Sequence, residues 1–168
     1  EQLNNYLSEA LAIRAYLYFT LAKSFKDVPL KLDATLSDGD NFQLETTPQD
    51  QIFAQVLVDL NEAERLSVED YGNTPENKGR ITKFAINAMQ ADLHLWLENY
   101  DEALVAADKI INSGQFELID ASPQWFTTVF AIGNSTESIF ELQYTPENRG
   151  PFYGIFLQQP QYLAAPAV

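Results

Sequence analysis

The amino-acid sequence predicts a mainly α-helical fold. Apolar residues recur at three- and four-residue spacing through the first 114 residues, which is the spacing of one face of a helix. Short groups of Pro, Gly and polar residues interrupt this pattern and mark helix ends. After Gly114 the period is lost. We therefore expect a helical region over residues 1–114 and an irregular segment with a short strand over residues 115–168, both in the same larger domain.

The first helix is expected over residues 3–25. Five apolar residues fall at helical spacing and are predicted to form its buried stripe: Leu3, Leu7, Ala10, Leu17 and Leu21. Pro29 cannot continue a helix and restricts the residue before it, so the helix should end before that proline.

Thr47, Pro48 and Asp50 predict the start of the second helix. Thr47 suits the N-cap, Pro48 suits the first helical position, and Asp50 would lie in the first turn, where the helix dipole favours an anion. Six residues then form its predicted apolar stripe: Ile52, Phe53, Val56, Leu57, Leu60 and Ala63. A breaker cluster follows at residues 71–75.

A third helix is expected at about 81–97 and a fourth at about 100–111. Glu98 and Asn99 separate them, and so short a connection predicts an antiparallel hairpin. Gly114 is placed to end the fourth helix in the left-handed conformation. Residues 100–104 resemble a tetratricopeptide repeat, and Ala91 and Ala103 are the small residues expected to be buried at the contact. The fold class is therefore helical hairpins of tetratricopeptide-like type.

The segment after Gly114 is rich in aromatic residues. Residues 138–144 alternate weakly in hydropathy and predict a short strand. Ring and amide side chains outside the helices fit ligand contact, because pockets combine apolar walls with a few polar groups. The predicted ligand-binding residues are Trp125, Tyr144, Phe152, Tyr153 and Gln158. Alternatively, these rings cover the helical layer or meet a partner protein.

Charge and composition exclude several functions. Ten basic and twenty-four acidic residues give a net charge of −14, which disfavours a nucleic-acid partner. The chain has no Cys, so it offers neither a thiol nucleophile nor Cys-ligated zinc. His94 is its one histidine and is expected to pack within a helix, and no catalytic motif is present. Residues 38–41 could offer oxygens to calcium, but a solvated turn is favoured. We expect a binding protein without catalytic residues, metal or cofactor.

Three blocks of sequence resemble the SusD/RagB-like proteins. The first runs from Glu9 through Arg14 to Leu30, and the family usually has Gly where this chain has Lys26. The second runs from Gly79 to Gly114 and resembles the central helical hairpin of the family. The third, residues 133–141, resembles the strand that follows. Their order and spacing identify the chain as an internal fragment of such a protein.

The resemblance implies a function that the residues alone do not indicate. SusD/RagB-like proteins are about three times longer, lie at the cell-surface side of the outer membrane and are lipid-anchored through an N-terminal Cys. They bind glycans, and in some members peptides, for delivery to a SusC-like TonB-dependent transporter. The alternative is an intracellular tetratricopeptide-type scaffold that binds other proteins. A plain scaffold of that kind would continue with further hairpins instead of a strand.

Overall fold

A computed structural model describes residues 2–37, 39, 43–120, 122–144 and 148–150 of the chain. The helices are α1 (Gln2–Phe25), α2 (Gln49–Leu66), α3 (Thr74–Gly79), α4 (Lys83–Trp96), α5 (Tyr100–Ile111) and a π-helix (Thr127–Ile132). Two short strands, β1 (Val28–Pro29) and β2 (Thr46–Thr47), pair antiparallel with Val28 opposite Thr47. The prediction of a mainly helical fold is confirmed.

The core lies between α1, α2 and α4. Helix α1 contributes mostly small residues, among them Ala12, Ala15 and Ala22, so that its backbone approaches α2 closely. Phe19 fills the space between them and meets the ring of Phe53 edge-to-face at 5.8 Å. The apolar stripe predicted for α2 is confirmed, with Leu57 partly buried and the other five residues buried.

The stripe predicted for α1 is wrong. All five of its residues are exposed: Leu3, Leu7, Ala10, Leu17 and Leu21. The exposure of the four leucines ranges from 42% at Leu21 to 79% at Leu3. The helix packs through the opposite side instead, where Ser8 also donates its hydroxyl to the Ala63 carbonyl oxygen at 2.7 Å. We call the exposed set the outer face of α1. This face carries the larger apolar side chains, and for that reason the sequence pattern predicted it to be the buried one.

The start of α2 differs from the prediction by one residue. Pro48 occupies the cap position without a side-chain cap, and Thr47 belongs to β2. The free backbone N–H of Gln49 donates instead to the Asp27 carboxylate at 2.9 Å. Asp27 follows Lys26, which takes a left-handed φ of 61° at the end of α1. A side chain 22 residues away in sequence therefore caps α2.

The hairpin of α4 and α5 has the expected form. The two helices pack together across residues 97–99, where Glu98 takes a φ of 60°. Gly114 takes a φ of 67° after α5, as predicted. Ala91 and Ala103 are half-buried, so the prediction that both are buried at the contact is only partly correct. Burial in α5 is greatest at Ala106, one turn further on, which is 4% exposed.

The strand predicted at residues 138–144 is also wrong. In the described part of the chain this segment has no partner strand, and a strand requires one for its backbone hydrogen bonds. The segment instead lies against α3, where the backbone N–H of Glu141 donates to the Lys78 carbonyl at 2.7 Å. The breaker cluster predicted at residues 71–75 overlaps the start of α3, whose N-terminus is capped by the Asn73 side chain. No helix among the described residues is both long and apolar enough to cross a membrane.

Candidate ligand-binding site

The predicted ligand-binding residues fall into two groups. Phe152, Tyr153 and Gln158 lie outside the described residues. Trp125 is half-buried: its indole N–H donates to the Glu137 carboxylate at 3.0 Å, and its ring meets Phe130 edge-to-face at 5.6 Å. Tyr144 is exposed. Neither Trp125 nor Tyr144 lines any of the pockets described below, so their part in ligand binding stays a prediction.

A pocket of about 220 Å³ brings together three segments that are distant in sequence. We call it the Lys78 pocket. It is lined by Glu69, Thr74, Asn77, Lys78, Thr82, Phe84, Gln115, Phe116, Asn134, Ser135 and Thr136. Phe116 supplies an aromatic wall and meets Phe84 edge-to-face at 5.4 Å. Exposed hydroxyl and amide side chains stand at its rim, so the pocket combines one ring with several hydrogen-bonding groups.

Lys78 is the charged residue of this pocket and is only 8% exposed. Its ammonium group donates to the Ser138 carbonyl oxygen and lies 4.5 Å from the centroid of the Phe116 ring. Burial lowers the pKa of Lys78, and the nearby charge of Glu141 opposes that shift. The carboxylate of Glu141 itself accepts the backbone N–H of Asn134 at 2.9 Å.

Residues 134–136 form one side of the pocket, and contacts along the segment 133–143 hold them in place. Gly133 takes a φ of 72°, and a Cβ there would lie 2.9 Å from a carboxylate oxygen of Glu141, so only glycine fits. Gln143 donates its amide to the Asn134 side chain at 2.7 Å and to the Pro75 carbonyl at 3.1 Å. These contacts fix the position of Asn134 beside Lys78.

No pattern in the sequence predicts the Lys78 pocket. Lys78 and the rings and amides around it come from α3, from the residues after α5 and from the loop at 134–136, and no local pattern joins them. The one available signal was a lysine within an acidic chain, immediately before the Gly79–Arg80 block. That signal does not distinguish a solvated side chain from a buried one.

An apolar groove lies beside α1 and includes Leu17 of its outer face. Its volume is about 640 Å³, and it is lined by Glu9, Ile13, Tyr16, Leu17, Gly79, Arg80, Ile81, Met89, Phe140 and Leu142. Arg80 and Glu9 form an ion pair at its edge, with two contacts of 3.0 Å. The guanidinium carbon of Arg80 also lies 3.9 Å from the centroid of the Tyr71 ring, and burial, assisted by the charge of Glu9, raises the pKa of Tyr71 to about 12.

A third, polar pocket of about 270 Å³ lies between α2, α4 and α5 and includes His94. Glu64 is its centre and accepts hydrogen bonds from Lys109 at 2.6 Å, Asn87 at 2.8 Å and Gln90 at 3.0 Å. Burial disfavours the charged carboxylate, but these donors outweigh it and lower the pKa of Glu64. Nδ1 of His94 is buried without a hydrogen-bond partner in the described part of the chain.

Within the described ranges, no cluster of three or more His, Asp or Glu side chains is placed to hold a metal ion. Residues 38, 40 and 41, where calcium was considered, lie outside those ranges. Arg14 is half-buried and pairs with a carboxylate: its Nε and Nη2 atoms each lie 2.7 Å from an oxygen of Asp59.

Comparison with known proteins identifies the family. A family model described as starch-binding and associating with the outer membrane matches residues 1–95, which is more than half of the chain. The chain belongs to the SusD-like family. The match covers α1 to α3 and most of α4, including the Arg14–Asp59 and Glu9–Arg80 ion pairs. The SusD/RagB-like resemblance found in the sequence is therefore confirmed.

Individual SusD-like relatives agree with this assignment. The chain is 32% identical over 121 residues to a SusD-like protein, P38, of Formosa agariphila, covering 71% of this chain and 23% of that protein. A solved SusD superfamily protein of Bacteroides vulgatus is 31% identical with a TM-score of 0.70, covering 83% of this chain and 29% of that one. A SusD-like protein of Bacteroides fragilis is 27% identical with the same TM-score, covering 82% and 27%.

These relatives confirm the tetratricopeptide-like helical fold of the SusD-like chain. The chain spans less than a third of the length of each of them. Most of a SusD-like protein therefore lies outside the segment that the 168 residues match.

Proposed function

We propose that this chain is part of a non-catalytic glycan-binding protein at the cell-surface side of the outer membrane, lipid-anchored through an N-terminal Cys. In this proposal it captures nutrients and delivers them to a SusC-like TonB-dependent transporter. The observation that carries the proposal is the match of the starch-binding, outer-membrane family model to residues 1–95.

The described helices suit capture without chemistry. Ion pairs between separate elements join α1 to α2 through Arg14 and Asp59, and α1 to the residue after α3 through Glu9 and Arg80. A scaffold fixed in this way presents a preformed surface, which limits the conformational entropy lost when a ligand binds. Sugars bind such surfaces through aromatic rings and through side chains that pair with hydroxyl groups.

The contacts to the ligand are also proposed. Trp125, Tyr144, Phe152, Tyr153 and Gln158 are the ring and amide residues that we expect to meet it. Replacing Trp125 by alanine in the full-length protein should cost about 2 kcal/mol or more of binding free energy if its ring is an anchor. The variant His94→Ala is the matched control and should bind normally, because His94 lies in the separate polar pocket at Glu64.

Binding of the full-length protein to an array of glycans tests the proposal directly. We expect specific glycan binding, and chromatography of the bound glycan after long incubation should return it unchanged. New products that disappear in a His94 variant would show catalysis and refute the non-catalytic function. If the full-length protein bound peptides and no glycans, the proposed ligand class would be wrong, and the membership of the family would be unaffected.

The alternative function, an intracellular tetratricopeptide scaffold, predicts a different location. Metabolic labelling of cells with a radioactive fatty acid and protease treatment of intact cells separate the two. We expect the full-length protein to be labelled and to be cleaved from outside. An unlabelled, protected protein would favour the scaffold.

A further inference from the structure

The buried ammonium group of Lys78 lacks the carboxylate partner that the ion-paired basic residues have. The basic residues that form ion pairs with carboxylates in the described part of the chain include Arg14, Lys23, Arg65, Arg80, Lys83 and Lys109. Lys78 is more deeply buried than any of these, yet no carboxylate among the described residues lies within ion-pair distance of it. Among the described residues, its hydrogen-bond acceptor is a neutral backbone carbonyl, that of Ser138. A buried charge without a carboxylate in direct contact is costly, and an anion that supplied such a contact would be favoured.

The other pockets do not share this property. In the polar pocket, Lys109 is neutralised by Glu64 at 2.6 Å, and Asp101 and Glu102 add further negative charge. In the apolar groove, Arg80 is neutralised by Glu9. The negative charges of the polar pocket would repel an anionic ligand group. In the apolar groove such a group would gain little binding free energy, because Arg80 is already neutralised. In the Lys78 pocket, Glu69 is the acidic lining residue, and it already pairs with Lys83 at 3.1 Å. The charge of Glu141 also acts on Lys78, but its carboxylate lies beyond ion-pair distance of the ammonium group and accepts the backbone N–H of Asn134.

The pocket also has the dimensions and groups for one sugar unit. Its volume of about 220 Å³ is below the roughly 300–1,000 Å³ of sites for drug-sized ligands, so it suits a single ring of a longer chain. The Phe116 ring offers apolar surface, and the exposed side chains of Thr74, Gln115 and Thr136 can pair with hydroxyl groups.

From this geometry we propose that the Lys78 pocket binds a carboxylate-bearing sugar unit, a hexuronate, with its carboxylate paired to the Lys78 ammonium group. The inference rests on the proposed glycan-binding function and adds the class of glycan. The Phe116 ring and the rim side chains hold the sugar ring, while Lys78 distinguishes an acidic from a neutral unit. Burial keeps this charge pair away from water, which strengthens it.

The first experiment offers the full-length protein two acidic probes, tri-galacturonic and tri-mannuronic acid, and two neutral probes, maltotriose and xylotriose. We expect binding to at least one acidic probe and a loss of about tenfold or more when its carboxylates are methyl-esterified, because a charge-assisted hydrogen bond is worth at least that factor. Binding to neutral probes alone would overturn the inference and leave the proposed function intact. Binding to no probe or other glycan would overturn both.

Single substitutions then test whether the preference for acidic glycans arises in the Lys78 pocket. Lys78→Met keeps the apolar stem against Phe116 and removes the charge, so the ratio of acid to ester affinity should fall close to one. Gln115→Glu adds a negative charge at the exposed rim with almost no change in shape, and it should lower the same ratio even if Lys78→Met does not fold. Arg65→Met removes a positive charge from an exposed pair elsewhere and should leave the ratio unchanged. An acid preference that survives Gln115→Glu would place the acidic subsite elsewhere and overturn the inference.

Discussion

Replacing Arg14 by methionine tests the ion pair that joins α1 to α2. The Asp59 carboxylate is buried, with a side chain only 4% exposed, and two of its hydrogen bonds come from Arg14 at 2.7 Å each. After the replacement, Gln55 at 2.8 Å is the one described donor that remains to it. The carboxylate then stays in the core without a counter-charge, which is the costly outcome for a buried pair.

The expected cost of Arg14→Met follows from this geometry. Removing one partner of a fully buried pair costs about 3–5 kcal/mol of unfolding free energy. The Arg14 side chain is 29% exposed and Gln55 is retained, so we expect about 3 kcal/mol, the lower end of that range. The double variant Arg14→Met/Asp59→Asn removes the unpaired charge as well and should recover about 2 kcal/mol of that loss.

Urea denaturation of the full-length protein, followed by circular dichroism, measures these free energies. Arg65→Met is the matched control, because Arg65 pairs with Glu62 on the exposed side of the same helix, α2, and should leave the unfolding free energy nearly unchanged. If Arg14→Met were no more destabilising than Arg65→Met, or if the double variant recovered nothing, the ion pair would not contribute as argued.

Three further predictions concern packing, pH and exposed surface. Ala106→Leu should overpack the contact of α4 and α5 and cost about 1–3 kcal/mol of unfolding free energy, whereas Ala103→Leu, at a half-buried position, should cost less in the same denaturation assay. Because the folded-state pKa of Glu64 is lowered, its carboxylate stabilises the fold above its ordinary pKa of 4.5, and this contribution is lost as the pH falls through the folded-state value. Glu64→Gln should therefore be destabilising near neutral pH, and the difference from the parent protein should shrink in urea titrations well below pH 4.5. The isolated 168-residue chain should bind a hydrophobic dye more strongly than the full-length protein does, because the outer face of α1 is exposed in it, and equal dye fluorescence would contradict this.

The sequence predicted best those elements whose apolar residues lie on one side only. In α2 the stripe from Ile52 to Ala63 is flanked by polar residues, so periodicity alone identified the buried side. The boundaries of α5 and the left-handed Gly114 were also correct, because local signals determine them. The N-cap of α2 was assigned wrongly because Asp27, which is remote in sequence, performs that role.

The candidate site could not be predicted in the same way. The Lys78 pocket depends on how α3, Phe116 and the loop at Asn134 meet, and these contacts are tertiary. The strand expected at 138–144 illustrates the same limit: its weak alternation is real, but the described chain provides α3 instead of a partner strand. Periodicity identifies a face and cannot identify what that face will contact.

Helix α1 shows why a correct helix can be assigned the wrong face. Its inner side carries small residues such as Ala12 and Ala15, and its outer side carries larger ones such as Leu7 and Leu17. A helix that is apolar on all sides is typically one that is covered on all sides. The SusD-like relatives are more than three times as long as the segment they share with this chain, so they have ample polypeptide for a second layer. We therefore expect further polypeptide to cover the outer face of α1 in the larger protein, and its large leucines mark the side on which such a layer would pack.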